Sequence, residues 1–149
     1  MENMMADKYG KYLVTEPKGK LQGAFPRWIL YGARDFEGAE FSQRIHYLAE
    51  PYFMIKEAHS HDFDQFYLIC GADFANPWDF HAEIELCLGK EEELHIITAP
   101  TAVHVPKGMI HGPINFKKIE KPILFIDSLL SAQYALAGKP PQVIPQKGR

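Results

Sequence analysis

The sequence predicts an all-β domain, a sandwich or barrel of about eight short strands, and three observations favour that class. From residue 41 to residue 130, short apolar runs alternate with glycine, proline and other turn residues. In the run 82–88, apolar and polar residues alternate with period two, so Ile84, Leu86 and Leu88 share one face of a strand. Helical periodicity is nearly absent from the same region, which completes the pattern of an all-β fold.

The strands and their connections follow in chain order. We predict strands at residues 42–49, 51–57, 63–70, 82–88, 94–98, 101–105, 113–119 and 122–128. The segment 71–81 is long for a hairpin loop and rich in aspartate, asparagine, proline and aromatic residues. We therefore expect it to form a lid or rim over one mouth of the barrel.

The two ends of the chain differ from this central region. Residues 1–22 are polar and predict an N-terminal arm with one short strand at 12–15. Residues 131–149 predict a C-terminal tail, in which residues 131–137 form one or two helical turns because alanine and leucine are good helix formers. The whole chain, 1–149, is predicted to be one domain with its core at about residues 41–130.

The composition of the 149 residues excludes several classes of function. Sixteen Lys and Arg against nineteen Asp and Glu leave a net charge of −3, so no basic excess indicates a nucleic-acid partner. No window approaches the roughly eighteen apolar residues of a membrane helix, and the charged N-terminus does not resemble a signal peptide. We expect a cytoplasmic protein with no nucleic-acid and no membrane partner. Its two cysteines, Cys70 and Cys87, are expected to be reduced core residues.

Histidines supply the main chemical signal. His59 and His61 are two residues apart, so on a strand both imidazoles point to one side, and Gln65 and Tyr67 continue that parity. A second segment, 106–115, delivers His111 just after a Pro/Gly turn. Three imidazoles and one amide oxygen make a plausible ligand set for a divalent transition metal, with one or two positions left open.

The order of these residues resembles the two sequence motifs of the cupin superfamily. The pattern H-x-H-x3-Q is followed by Gly71, and P-x-G-x2-H-x3-N is formed by Pro106, Gly108, His111 and Asn115. The resemblance implies a double-stranded β-helix, or jelly-roll barrel, with a metal held in the lumen by His59, His61, Gln65 and His111. Gln65 stands where the family usually has an acidic ligand, and Gly71 comes one residue early.

The resemblance leads to a hypothesis about function. A neutral amide at position 65 leaves the +2 charge of a metal (Fe, Ni, Zn, Mn or Co) uncompensated, so the ion acts as a strong Lewis acid and favours anionic oxygen ligands. We therefore expect a lyase or isomerase acting on a small carboxylate or carbohydrate-derived substrate. A metal-dependent dioxygenase is the first alternative, and a non-catalytic protein that binds a small molecule is the second.

Two further residues are predicted to act on the substrate. Tyr67 shares the inward parity of Gln65, so its phenol could serve as acid, base or anchor, although an aromatic that only fills the lumen is equally compatible. Arg44 could clamp a carboxylate if its strand lines the pocket, and is otherwise an exposed strand arginine. Asn115 is interpreted as a structural amide that holds a turn.

The remaining histidines and the oligomeric state complete the predictions. His104 is expected to face outward, and His46, His81 and His95 are interpreted as surface or hydrogen-bonded histidines. Small jelly-roll barrels often pair, and the N-terminal arm could add a strand to a neighbouring subunit, so a homodimer is expected.

Overall fold

In a computed structural model, residues 8–15, 17 and 25–140 are described. Within these residues the chain forms nine strands and one four-residue helix, α1 (Gly32–Asp35). The strands are β1 (Arg27–Tyr31), β2 (Ser42–Leu48), β3 (Tyr52–Ile55), β4 (Gln65–Gly71), β5 (Ala82–Leu88), β6 (Glu93–Ile97), β7 (Thr101–Val105), β8 (His111–Ile119) and β9 (Ile123–Leu129).

The strands form two antiparallel sheets that pack face to face. The five-stranded sheet has the order β1-β2-β9-β4-β7, and the four-stranded sheet has the order β3-β8-β5-β6. Neighbours in each sheet are mostly distant in sequence, as when β4 pairs with both β9 and β7. This topology is a jelly-roll barrel, and it confirms the predicted all-β class.

The core lies between the two sheets and follows the two-residue period of the strands. In β4, Tyr67 and Ile69 are buried while the residues between them are more exposed. In β5, Ile84 and Leu86 are buried and Leu88 packs against the core, as the alternation predicts. In the neighbouring strands β8 and β9, the fully buried side chains include Ile114, Phe116, Ile123 and Phe125.

The eight predicted strands correspond to β2–β9, with ends that differ by at most two residues. The structure adds β1 and α1, which the sequence patterns did not indicate. The predicted strand at 12–15 is wrong, because the chain there forms a 3₁₀ turn (Gly10–Tyr12) followed by residues outside any strand. Most of the remaining arm, and residues 141–149 of the tail, lie outside the described residues.

The predicted helical turns at 131–137 are also wrong, because this segment is irregular. Its backbone makes hydrogen bonds to other parts of the chain: Ala132 O accepts from Ala33 N at 2.9 Å, and Ala137 N donates to Ser60 O at 2.8 Å. These tertiary bonds replace the local bonds of a helix. Propensity is a weak preference that tertiary contacts override.

The segment 71–81 connects β4 in one sheet to β5 in the other. Gln65 begins β4 and Gly71 ends it, so the connection lies about 20 Å along the strand from Gln65. The backbone of this segment packs closely on Gly71, because a Cβ atom at position 71 would lie only 2.4 Å from Asp79 O. The segment therefore belongs to the barrel end opposite Gln65.

The two cysteines do not lie in the core. Cys70 and Cys87 are free but half-buried, and the strand alternation turns them outward, so their assignment to the core is wrong.

Among the described residues, no helix has the length and apolar character needed to span a membrane.

Candidate metal centre

A backbone bridge brings the two histidine-bearing stretches together. His59 N donates to His111 O at 3.0 Å, and His111 N donates to His59 O at 2.8 Å. A tight turn precedes His111, in which Met109 N donates to Pro106 O and Gly108 adopts a positive φ of 84°. Glycine suits that left-handed position, which explains its place in the motif. Gly108 N also donates to His61 O at 2.8 Å, so the turn is tied to the His59–His61 segment.

The three imidazoles converge as the sequence predicts. Ring centroids lie 4.8 Å apart for His59–His61, 4.7 Å for His59–His111 and 5.1 Å for His61–His111. Their nitrogen ligand atoms all lie within 4.8 Å of one another, and His61 and His111 are almost fully buried. Three histidines in this arrangement could hold a metal ion.

Hydrogen bonds to backbone carbonyls set the orientation of each ring. The Nδ1 atoms of His59, His61 and His111 lie 3.3, 2.6 and 3.1 Å from the carbonyl oxygens of Glu57, Ala135 and Met109. A carbonyl only accepts, so each Nδ1 carries the proton and each Nε2 keeps its lone pair. All three Nε2 atoms are buried without a hydrogen-bond partner among the described residues. Histidine ligands in metal sites have this arrangement, so the residues present fit a metal ion.

Burial keeps the histidines neutral. It lowers the pKa of His61 to about 4, where His111 and His59 add to the shift, and it also lowers the pKa of His59 and of His111. At neutral pH each Nε2 is therefore unprotonated, and its lone pair is available to coordinate a metal ion.

Gln65 is held by a short chain of polar groups on the inner face of the five-stranded sheet. Its Nε2 donates to Asp127 Oδ1 at 2.7 Å, and Asp127 Oδ2 accepts from Arg44 Nη2. A carboxylate cannot donate, so the amide nitrogen must face Asp127 and the amide oxygen is left as the free end. That oxygen is buried and has no partner among the described residues.

Arg44 lies on the inner face of β2, and its side chain is 19% exposed. Although burial opposes its charge, the Asp127 carboxylate raises the pKa of Arg44, and the guanidinium stays charged. Its carbon Cζ lies 4.6 Å from the ring centroid of Tyr134. The alternative of an exposed strand arginine is therefore wrong, and the role of Arg44 as a carboxylate clamp stays a prediction.

Tyr67 lies beside the histidines, with its ring centroid 6.4 Å from that of His111. It is 2% exposed, and its hydroxyl has no hydrogen-bond partner among the described residues. Burial and the nearby Asp127 carboxylate raise the pKa of the Tyr67 phenol well above its ordinary value. The hydroxyl is therefore protonated at neutral pH and can donate a hydrogen bond.

Sequence reasoning missed two residues of this region. Asp127 follows the inward alternation of β9, so strand parity could have placed it. Tyr134 packs on His61 with ring centroids 4.9 Å apart, but it belongs to the irregular segment after β9. No local pattern marks Tyr134, because its position depends on tertiary contacts.

Other sequence-predicted residues lie away from the three histidines. His104 is exposed and pairs with Asp64 at 2.8 Å, as expected for an outward histidine. Asn115 lies within β8 and not in a turn, and its amide reaches Glu85 at 3.4 Å. His81 and His95 are exposed and bond to neighbouring carboxylates, as expected. His46 is buried with both ring nitrogens unpartnered among the described residues, so its interpretation as a surface or hydrogen-bonded histidine is wrong.

Comparisons with known proteins address the fold. No family model and no curated protein matches the sequence. Several solved structures do resemble the chain. Oxalate oxidase in complex with the substrate analogue glycolate aligns with a TM-score of 0.57 and 12% sequence identity, over 91% of this chain and 67% of the oxidase. A conserved protein with a double-stranded β-helix domain from Klebsiella pneumoniae aligns with a TM-score of 0.53 and 12% identity, over 92% of this chain and 95% of that protein.

The chain has the cupin fold. A third similar structure, a single-substitution variant of oxalate decarboxylase from B. subtilis, has a TM-score of 0.50 and 11% identity, and the match covers 78% of this chain but 28% of the decarboxylase. Identities this low establish architecture alone. Within the cupin fold of this chain, both motif stretches meet at one end of the barrel, through the His59–His111 bridge.

Proposed function

We propose that this cupin-fold protein is a divalent-metal-dependent enzyme of lyase or isomerase type that acts on a small oxygenated anion. The observation that carries the proposal is the set of three buried Nε2 atoms, each freed by a carbonyl bond at the opposite nitrogen. The ligands would be His59, His61 and His111, with the oxygen of Gln65 as the fourth. When bound, the metal would polarise a substrate oxygen and stabilise the negative charge that develops on it.

The charge of the surrounding residues supports an anionic substrate. The four proposed ligands are neutral, so none of them compensates the +2 charge of an ion. Asp127 is the buried carboxylate beside Gln65, and its charge is balanced by the Arg44 guanidinium. An anionic substrate would therefore meet an uncompensated positive charge. Several of the similar structures are named as oxalate oxidase or oxalate decarboxylase, and another is named as a cysteine peptidase. The oxalate proteins, with the Mn(II) centres named in one study of the decarboxylase, support a small carboxylate substrate and include manganese among the metals.

The Tyr67 hydroxyl would act as a hydrogen-bond donor to the substrate. Burial and the Asp127 carboxylate raise the pKa of the phenol, so the hydroxyl of the metal-free protein carries its proton at neutral pH. An unpartnered phenol beside the histidines can donate to a substrate oxygen as negative charge forms there.

Metal analysis of protein purified without added metal tests the proposal. We expect about one equivalent of a divalent transition metal per chain. His111→Ala should reduce it to about a tenth or less, and Gln65→Ala should weaken retention during dialysis. His104→Ala is the matched control, because His104 is exposed and lies outside the cluster. A metal-free parent that does not take up Mn, Fe, Co, Ni or Zn would contradict the proposal.

Turnover assays separate the proposed class from its alternatives. Loss or rearrangement of a small hydroxy or dicarboxylic acid without oxygen consumption supports a lyase or isomerase. Oxygen uptake with Fe(II) and the same acids would instead support the dioxygenase. Metal and acid binding without turnover would support the non-catalytic alternative.

A further inference from the structure

A group of basic side chains lies on the inner face of β1 and β2 next to the proposed metal site. Strand register pairs Arg27 with His46 and Ile29 with Arg44. Residues 27, 44 and 46 therefore share one face as directly opposite or diagonal neighbours, within reach of one another for long side chains. We call Arg27, Arg44 and His46 the basic cluster.

Four nitrogen atoms of the basic cluster are buried and have no hydrogen-bond partner among the described residues. The Nε atoms of Arg27 and Arg44 and both ring nitrogens of His46 have no hydrogen-bond partner among the described residues. His46 is 3% exposed, and its ring lies between Phe25 and Phe125, with centroid separations of 5.8 and 5.1 Å. Buried polar groups are nearly always hydrogen-bonded, so four unpartnered nitrogens on one inner face need an explanation.

The basic cluster also carries an uncompensated charge. Arg44 is paired with Asp127, whereas Arg27 forms no ion pair within the described part of the chain and lies 4.8 Å over the ring of Phe25. Burial, with the charges of Arg44 and Arg27, lowers the pKa of His46 to about 2, so its imidazole is neutral. Counted over the described residues, two guanidinium charges against one carboxylate leave one positive charge in a partly buried region.

We infer that Arg27, Arg44 and His46 form a binding site for one carboxylate group of a small organic acid. A planar guanidinium matches the two oxygens of a carboxylate, and the Nε atoms of both arginines are free to donate. His46, which lies opposite Arg27 in the strand register, can donate one further hydrogen bond from a ring nitrogen. A single carboxylate balances the one excess charge, whereas a phosphate, with a charge of about −1.5 to −2 at neutral pH, exceeds it.

The position of the basic cluster connects it to the proposed function. Asp127 bonds both to Arg44 and to Gln65, so the carboxylate site and the proposed metal ligands share one hydrogen-bonded chain. The inference deepens the proposed function, because it assigns the substrate a carboxylate beside a second, metal-directed oxygen. Binding of the carboxylate itself requires no metal.

Calorimetric titration of the EDTA-treated, metal-free protein with glycolate, a hydroxy acid that carries one negative charge, and separately with inorganic phosphate tests the inference. We expect glycolate to bind more tightly than phosphate. Arg27→Gln should weaken glycolate binding by about ten- to a hundredfold, the effect of losing hydrogen bonds between charged groups. Lys117→Gln removes the same charge from an exposed site on the other sheet and is the matched control. Arg27→Lys keeps the positive charge but loses the planar pair of guanidinium donors, so its affinity should lie between those of the parent and of Arg27→Gln.

His46→Leu adds a readout that a purely structural role would not change. Removing a buried unpartnered imidazole should keep or raise the melting temperature while weakening glycolate binding several-fold, about the effect of one hydrogen bond. No glycolate binding to the parent, tighter binding of phosphate, or equal affinities for Arg27→Gln and Lys117→Gln would each overturn the inference. Glycolate binding by a parent that takes up no metal would refute the proposed function and leave the carboxylate site standing.

Discussion

At the scale of single residues, the Gln65–Asp127 contact explains why an amide occupies a position where an acid is usual in this fold's motif. The amide nitrogen lies 2.7 Å from Asp127 Oδ1 in a buried setting. A glutamate here would bring two carboxylates about 3 Å apart, and two such groups do not both ionise. The amide at position 65 is therefore a consequence of its neighbour on β9.

Gln65→Glu tests this dependence. We expect the metal-free variant to lose about 1–3 kcal/mol of unfolding free energy at pH 7, because a buried hydrogen bond is replaced by repulsion. The double variant Gln65→Glu/Asp127→Asn should recover most of that loss, since the amide introduced on β9 can donate to the new carboxylate. Urea unfolding measures both effects.

The control for this experiment is Gln43→Glu. Gln43 makes a similar amide bond, to Ser128 Oγ at 3.1 Å on the outer face, where the hydroxyl can turn and donate instead. Its change should be close to neutral. Equal stability of Gln65→Glu and the parent would show that Asp127 does not determine the residue at position 65.

The sequence predicted the direction of a side chain correctly where the two-residue alternation within one strand was enough to determine it. His59, His61 and Tyr67 point as their spacing predicts, and a bridge to a distant strand sets His111 beside them. His46 was misread because its burial depends on Phe25 and Phe125, which come from outside its own strand. Such contacts leave no local trace in the sequence.

At the scale of elements, the irregular segment after β9 supports the histidines. Ala135 O accepts the Nδ1 proton of His61 at 2.6 Å, and the Tyr134 ring packs on the same imidazole. Partners of this kind fix ligand orientation in metal sites, and losing them costs about 10- to 100-fold in metal affinity. Residues 131–140 thus help to form the candidate centre, although helix propensity suggested a tail with one or two helical turns at 131–137.

Truncation after Leu130 measures this contribution. We expect metal affinity to fall by about 10- to 100-fold while the β-sheet circular dichroism is retained. Truncation after Pro140, which removes residues 141–149 and leaves the Ala135 and Tyr134 contacts, is the control and should keep the parent affinity. Metal titration of the two truncated proteins gives the comparison, and equal affinities would contradict a role for the segment.

At the scale of the whole molecule, the outer faces of the two sheets differ in charge. A row of apolar residues crosses the five-stranded sheet from β1 to β7 in strand register: Trp28, Ile45, Ile126, Leu68 and Ala102. The outward residues of these five strands include no Asp, Glu, Lys or Arg. The four-stranded sheet instead carries Glu83, Glu85 and Lys117 on its outer face.

The expected homodimer remains a prediction, and the uncharged face gives it a specific surface. In a dimer with twofold symmetry, the apolar face of one protomer would pack against the same face of the other. Because this face carries no charged residue, the contact would bring no like charges together. Five strands about 4.8 Å apart and up to about 20 Å long give a footprint of about 400 Å². Stable interfaces bury about 800 Å² per partner, so we expect a weak dimer whose population rises with concentration.

Sedimentation velocity over a concentration series tests this dimer. Leu68→Lys, at the centre of the apolar row, should shift the protein to monomer, because a charge would be buried without a partner on each copy. Leu94→Lys is the matched control, since Leu94 is 53% exposed against 47% for Leu68 but lies on the other sheet. A parent that sediments as a monomer throughout would remove the homodimer prediction. Identical behaviour of the two variants would instead move the interface away from the five-stranded sheet.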